Sequence, residues 1–365
     1  MDTDGGPTRE TLEALIGDRI VGWVRLAPWS VMRCHLEQTR ASVIVKWRRS
    51  GAVRSDHRQI LVEHAGLTFL QDIGVASGPR LLASDLAAGV LVLEDLAPRR
   101  PLDLQIGEAG VAAAWPGLAA FARATGEMAA LTTGRGAAFG ACLIRSGASP
   151  IDQRSAEAQA TLAMMRRLDA LGLPLGRPVE GDLETAFGVL QAPGPFQAFS
   201  NGDCEANNFL TEGGEGRLID FEAADFRHAL VDEAAMHVPG PAWLSVAGPS
   251  QRAELEQIYR TALATGVAAA EDDAAFGLGM AAACLTRACE RLTRFARLED
   301  RPRGDSSRLQ MISALEAAAE AASHHRRLPH LAGWARRAGS WLRRRWPDAD
   351  QDLGQLGPYT PRSRA

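Results

Sequence analysis

The chain is short of cysteine, and none of its five cysteines forms a Cys-x-x-Cys pair. An odd number of scattered thiols predicts a reduced compartment with neither structural disulfides nor zinc. An excess of positive charge is also missing, because the formal net charge is −4. The charge therefore gives no electrostatic case for nucleic acid as a main partner.

Long hydrophobic runs are lacking as well. The longest, at residues 274–285, contains two glycines and is too short to span a bilayer, so a buried helix is expected there. Residues 1–6 are acidic and polar, which is not the pattern of a signal peptide. We therefore expect a cytoplasmic protein.

Length and composition describe an ordinary globular chain. By a soft prior of one domain per ~150 residues, the chain is expected to form two domains or lobes. Its apolar fraction is 46% and its charged fraction 23%. Apolar patterns predict a short helix and then strands and a helix, followed from residue 112 by mostly helical segments. These later helices are expected at residues 112–132, 156–171, 182–190, 230–236, 254–265, 273–292 and 309–322. The early elements are expected at residues 8–16, 20–25, 30–36, 41–47, 59–70 and 89–96.

Residues 201–232 carry the polar groups that suggest chemistry. Two apolar pieces, at 208–210 and 218–220, flank a turn rich in glycine and glutamate, which predicts a hairpin. Asp203, Asn208 and Asp220 would place two carboxylates and a carboxamide at the two mouths of this hairpin. Such groups can hold a hard cation and orient a hydroxyl, as phosphoryl transfer requires.

The motif Asn-Gly-Asp-x4-Asn, followed by Ile-Asp-Phe and later Val-Asp, resembles the aminoglycoside phosphotransferase family and the related choline kinases. Their usual motif begins with His, where this chain has Asn201. The resemblance implies a bilobal, protein-kinase-like α+β fold. Residues 1–95 would form a small N-lobe with an antiparallel sheet, and residues 96–330 a large, mostly helical C-lobe with a catalytic hairpin at 199–222. A basic amphipathic helix and a tail would occupy 331–365.

The resemblance also implies roles for individual residues. Asp203 would orient the substrate hydroxyl and accept its proton. Asn208 and Asp220 would hold Mg²⁺ that bridges the nucleotide phosphates. Lys46, at the end of a β-branched run, would position those phosphates while Glu63 on the following helix holds its ammonium.

Further positions follow from the same resemblance. Asn201 would hydrogen-bond the backbone near the metal-binding Asp, and Asp232 would brace the catalytic loop through backbone amides. Backbone groups from Glu94 to Leu96 would pair with the adenine edge. Ser30 is the remaining nucleotide-binding candidate. It lies in a loop at residues 26–32 that has no glycine, although kinases usually cover their phosphates with a glycine-rich loop.

The implied activity is transfer of the γ-phosphoryl group of ATP, or of GTP, to a hydroxyl of a small molecule. Acids near the site would suit a cationic substrate. Choline recognition needs an aromatic cage, for which two tyrosines are few, although Trp243 could contribute. The alternative is a pseudokinase, a binding or scaffold module, which the glycine-free loop and Asn201 favour. The acids near the site that would suit a cationic substrate are Glu205, Glu222 and Asp225.

Arginines concentrate in residues 324–345, where apolar side chains fall on one helical face. A basic amphipathic helix can lie on an anionic membrane surface. We favour the alternative that Trp334 and Trp341 pack on the C-lobe and the arginines face solvent. Residues 347–365 are expected to be a disordered tail. The apolar face of the helix expected within residues 324–345 consists of Leu331, Trp334, Ala338, Trp341 and Leu342.

Overall fold

The N-terminal part of the chain forms a five-stranded antiparallel sheet with the strand order β1-β2-β3-β5-β4. The computed structural model describes residues 6–26, 30–48, 55–149, 154–238, 249–303 and 305–349. The expected strands are confirmed to within a few residues at their ends. The elements are α1 (Arg9–Ile16), β1 (Ile20–Arg25), β2 (Val31–Leu36), β3 (Ser42–Trp47), α2 (Ser55–Asp72), β4 (Leu81–Asp85) and β5 (Val90–Glu94).

Strand β3 shows why Lys46 faces the long helix. Val43, Val45 and Trp47 are buried in one apolar cluster with Leu12 of α1. Ile44, on the opposite face, packs against a second cluster that contains the core residues of α2. Because side chains alternate along a strand, Lys46 shares the α2 face with Ile44.

A mostly helical C-lobe follows, and together with the sheet it confirms the expected bilobal α+β architecture. Its strands are β6 (Arg100–Pro101), β7 (Gln197–Ser200), β8 (Phe209–Glu212), β9 (Glu215–Leu218) and β10 (Asp225–His228). Its helices are α3 (Leu102–Ala113), α4 (Trp115–Thr132), α5 (Gly136–Arg145), α6 (Arg154–Ala170), α7 (Arg177–Gln191), α8 (Leu230–His237), α9 (Pro249–Ala264), α10 (Asp273–Arg291), α11 (Phe295–Glu299), α12 (Ser306–His324) and α13 (Pro329–Arg345). Short 3₁₀ turns lie at Gly194–Phe196, Ala206–Asn208, Ala268–Glu271 and Leu292–Arg294.

Of two helices expected from the sequence, one is confirmed and the other begins later than expected. The apolar run at 274–285 lies inside α10, and most of its side chains are buried, as expected. The single helix expected at 112–132 is wrong at its start, because residues 112–113 end α3 and α4 begins at Trp115. Pro116 explains the new start, since proline is favoured in the first turn of a helix.

The hairpin is confirmed, with its ladder shifted from the expected pieces. Strands β8 and β9 pair Phe209 with Leu218, so Asp220 lies beyond the end of the ladder. The turn uses Gly213 and Gly214, whose φ values of 60° and 84° suit a two-residue hairpin turn. A second pairing, between β7 and β10, encloses the hairpin.

The last helix packs on the C-lobe. Leu331, Trp334, Ala338 and Leu342 are buried, and α13 lies against α12 and α7. The apolar face is therefore covered by protein, as the packing interpretation requires. In the described ranges we find no helix long and apolar enough to cross a bilayer.

The start of the expected tail is ordered by packing. Ala349 is buried, and Asp348 lies 3.3 Å from the guanidinium of Arg308. The expectation of a disordered tail from residue 347 is thus wrong for residues 347–349. Residues 350–365, and also Trp243, lie outside the described residues.

Candidate active site

Lys46 joins three elements of the fold. Its Nζ lies 2.5 Å from Oε2 of Glu63 on α2 and 2.6 Å from Oδ1 of Asp220 beyond β9. Burial alone would lower the pKa of Lys46, but the charges of Asp220 and Glu63 hold that pKa above its usual range. Lys46 is therefore a cation in a fixed position, as the placement of phosphates requires.

The backbone around Asp220 is held from both sides. Asp220 has a φ of 63°, in the left-handed region that costs a non-glycine residue about 1–2 kcal/mol. On one side, the Asn201 amide nitrogen donates to the carbonyl of Ile219 at 3.1 Å. On the other side, the N–H of Phe221 donates to Oε1 of Glu63 at 3.4 Å. Asn201 thus makes the backbone contact near Asp220 that we expected of it.

The catalytic loop, residues 201–208, depends on glycine at its second position. Gly202 has a φ of 89°, and a Cβ added there would lie 1.9 Å from the carbonyl oxygen of Ala223. The hydroxyl of Ser200 donates to Asp232 at 2.7 Å and accepts from the N–H of Gly202 at 2.9 Å. Asp232 therefore braces the loop through Ser200, which corrects the expectation of direct contacts to backbone amides.

Asp203 and Asn208 are brought together by that loop. The Asn208 amide nitrogen donates to the backbone carbonyl of Asp203 at 2.9 Å and to its carboxylate at 3.1 Å. The side chain of Asp203 still contacts solvent, yet surrounding protein removes part of its hydration. This burial raises the pKa of Asp203, with the charge of Glu205 adding to the rise and that of Arg287 opposing it.

The oxygens near Asp203 suit a hard cation. Asp220 supplies a carboxylate, and Asn208 supplies a carboxamide oxygen that accepts from the neighbouring Asn207 at 2.9 Å. An amide oxygen has two lone pairs and can also serve a metal ion. Carboxylate and amide oxygens are ligands that Mg²⁺ and Ca²⁺ prefer, so these residues fit the expected divalent ion.

The proposed adenine-binding segment is fixed by a residue that the sequence reasoning did not single out. Asp95 accepts from Nε of Arg33 and from the hydroxyl of Ser42, each at 2.6 Å. The side chain of Glu94 lies 3.1 Å from Nη1 of Arg217 on β9. Leu96 is buried. These contacts tie the end of β5 to both β2 and the hairpin.

Ser30 lies at the edge of the described part of its loop. Its carbonyl accepts from the N–H of Trp47 at 3.1 Å, so it sits beside the end of β3 that carries Lys46. The loop residues 27–29 lie outside the described ranges. The position of Ser30 is compatible with a nucleotide contact, which stays a prediction.

The acids expected to attract a cation are engaged within the protein. Glu205 contacts the guanidinium of Arg287 and lies 3.8 Å from that of Arg291. Glu222 accepts from Gln59 at 3.2 Å, and Asp225 accepts from the N–H of its neighbour Phe226 at 2.8 Å. The argument from these acids to a cationic substrate is therefore weakened.

Arginines are the functional candidates that the sequence reasoning missed. Arg227 donates to the carbonyl of Gly202 at 3.3 Å, directly before Asp203. Arg287 and Arg291 lie one turn apart on α10, and burial together with the charge of Arg287 lowers the pKa of Arg291 to about 9. The sequence signal that could have identified Arg287 and Arg291 is their spacing of four residues, which makes them neighbours on one face of a helix.

Comparisons with known proteins support the fold. No protein-family model matches the sequence, and no curated protein matches it. An amicoumacin kinase solved with AMP-PNP, Ca²⁺ and Ami is 14% identical, with a TM-score of 0.51 over 85% of this chain and 92% of the other. A gentamicin complex of APH(2'')-IIa is 12% identical, with a TM-score of 0.50 over 86% and 96%.

A choline/ethanolamine kinase family protein from Mesorhizobium loti is 16% identical, with a TM-score of 0.49 over 90% of this chain and 98% of the other. At these identities the likeness shows the fold alone. The expected resemblance is therefore confirmed as a shared kinase-like architecture.

Proposed function

We propose that the protein is a kinase that transfers the γ-phosphoryl group of ATP to a hydroxyl of a small molecule. The observation that carries this proposal is the contact of Lys46 with both Glu63 and Asp220, which joins β3, α2 and the hairpin. Phosphoryl transfer depends mostly on positioning and on stabilising charge, so a fixed cation beside a carboxylate is the central requirement. The nucleotide would lie between residues 1–95 and the C-lobe.

Each residue has a task in this reaction. Lys46 binds the α- and β-phosphates, and Glu63 keeps its ammonium in place. Asn208 and Asp220 would hold Mg²⁺, which when bound neutralises charge on the phosphates. Asp203 orients the substrate hydroxyl and takes its proton as the oxygen attacks.

The names of the structural neighbours are consistent with this activity. An amicoumacin kinase and a gentamicin-binding protein share the fold, and the former was solved with an ATP analogue and Ca²⁺. The pairing of Glu205 with Arg287 and Arg291 gives no preference for a cationic alcohol. Cationic, neutral and anionic alcohols therefore all belong among the candidate substrates.

A two-stage experiment tests the proposal. Thermal unfolding is first measured with ATP and with GTP, each with and without Mg²⁺. A nucleotide that binds the native state at 100 times its Kd stabilises it by about 2.7 kcal/mol. Nucleotide consumption is then measured with the three classes of alcohol.

Lys46→Met is the test variant, and Glu212→Gln is its control, since Glu212 is an exposed acid at the end of β8 and makes no contact with Lys46 among the ion pairs of that lysine. We expect Lys46→Met to lose nucleotide-dependent stabilisation and Glu212→Gln to keep it. Binding without turnover on any alcohol would establish the pseudokinase alternative. The absence of both nucleotide binding and turnover would refute the kinase proposal.

A further inference from the structure

A group of imidazoles and carboxylates lies away from the catalytic loop, where three helices of the C-lobe meet. Glu256 lies on α9, His324 is the last residue of α12, and His325 follows it. Their ligand atoms all lie within 4.8 Å of one another. Oε2 of Glu256 is 3.1 Å from Nε2 of His325 and 3.2 Å from Nε2 of His237 on α8. We call Glu256, His324 and His325 the His–Glu cluster.

Glu256 sits close to two imidazoles. The Nε2 atoms of His325 and His237 both lie within hydrogen-bonding distance of its Oε2. Zinc binds imidazole nitrogen and carboxylate oxygen at about 2.0–2.2 Å, which places neighbouring tetrahedral ligands about 3.3 Å apart. The 3.1 Å between Oε2 of Glu256 and Nε2 of His325 is close to that separation, so both atoms suit one ion.

A second carboxylate beside the cluster lacks a partner. Glu233 of α8 is fully buried, and neither of its oxygens has a hydrogen bond within the described part of the chain. Its Oε1 lies 3.9 Å from Nε2 of His237. A buried carboxylate without a partner is costly, and a nearby cation offsets that cost.

We propose that Glu256, His324 and His325 form a binding site for a divalent transition-metal ion. Zn²⁺ fits this ligand set best, because imidazole is a ligand for zinc whereas Mg²⁺ prefers oxygen. The ion would tie the end of α12 to α9, and the 3.2 Å contact of Glu256 with His237 would connect the site to α8. Helix α8 also carries Asp232, so the site would support the helix that braces the catalytic loop. Metal binding at this site would not depend on whether the proposed kinase activity is correct.

The test uses the full-length protein after treatment with EDTA. Titration calorimetry with ZnCl₂ is expected to show one ion per chain, and MgCl₂ is expected to show no binding at this site. Zn²⁺ should also raise the melting temperature. Co²⁺ should give the absorption bands of a protein-bound ion with nitrogen ligands.

The decisive variant is His324→Gln, because His324 is exposed and its substitution should leave the fold intact. His330→Gln is the matched control, since His330 is an exposed imidazole in the first turn of α13. Loss of even an outer-shell partner typically weakens metal binding about 10–100-fold, so His324→Gln should weaken Zn²⁺ binding at least ~10-fold. His330→Gln should bind Zn²⁺ as the parent does.

His325→Gln and Glu256→Gln should weaken Zn²⁺ binding as well, and circular dichroism before adding metal checks that each is folded. If the parent binds no Zn²⁺ stoichiometrically, the site does not exist. If His324→Gln and His330→Gln bind Zn²⁺ equally, the ion is adventitious. Either result overturns the proposal, and neither bears on nucleotide binding.

Discussion

Replacing Gly202 by alanine is the sharpest test of the loop that presents Asp203. The φ of 89° is unfavourable for any residue with a Cβ, at about 1–2 kcal/mol. The new Cβ would also lie 1.9 Å from the carbonyl oxygen of Ala223, a backbone atom that cannot rotate away. Forced overpacking typically costs about 1–3 kcal/mol. Together these effects predict that Gly202→Ala lowers the free energy of unfolding by about 2–5 kcal/mol.

The same substitution should impair catalysis in any molecules that remain folded. The loop must move to relieve the overlap, and Asp203 is the next residue. A displacement of about 1 Å can cost 10²-fold in rate. We therefore expect turnover to fall about 100-fold or more while the nucleotide contacts of Lys46 survive.

Urea unfolding and steady-state kinetics measure the two effects. Gly188→Ala is the control, because Gly188 lies in α7 with no atom within 4 Å of an added Cβ. Alanine is the better helix former, so this control should be unchanged or more stable by up to about 1 kcal/mol. If Gly202→Ala matched Gly188→Ala in stability and turnover, the described backbone of the catalytic loop would be wrong.

Four further outcomes are expected. Asn201→His should be tolerated, whereas Asn201→Leu leaves the Ile219 carbonyl without its donor and should cost about 1–3 kcal/mol in thermal unfolding. Asp203→Asn should lower turnover about 10²–10⁴-fold yet keep Mg²⁺–nucleotide binding in calorimetry, whereas Asp220→Asn should weaken that binding itself. Trp334→Ala should destabilise the protein by about 3–5 kcal/mol in urea, because the ring is fully buried. Burial and the charge of Glu205 raise the pKa of Asp203, which must be ionised to act as a base. Glu205→Gln removes that charge and should lower the pKa of Asp203. The acidic limb of the kcat/KM profile should therefore move to lower pH.

The sequence predicted the local parts of this fold well. Strands β1 to β3 were expected to within one residue, because β-branched runs with polar ends define them. The hairpin was displaced by up to three residues because Ile219 is apolar and reads as strand. In the structure it lies past the ladder, where Asp220 takes its left-handed φ.

Features made by distant residues could not be read from local patterns. Pairing of β7 with β10 joins Phe199 to Phe226 across the whole hairpin, and no short-range pattern encodes that register. Helix α5 was missed because it begins with glycine and contains another, both weak helix formers. Asp203, Asn208 and Asp220 were singled out together because they sit in one motif, whereas Arg287 reaches Glu205 only through tertiary packing.

The position of α13 has a consequence for how the chain is made. Helix α7 ends at Gln191, and α13, which packs against it, begins only at Pro329. At a synthesis rate of about 5–20 residues per second, roughly 7–30 seconds separate the two helices at the ribosome. Until then the surface that receives Trp334 is open to water, so the nascent C-lobe is a natural client for chaperones. A truncated chain that ends before α13 would leave that surface permanently exposed to water.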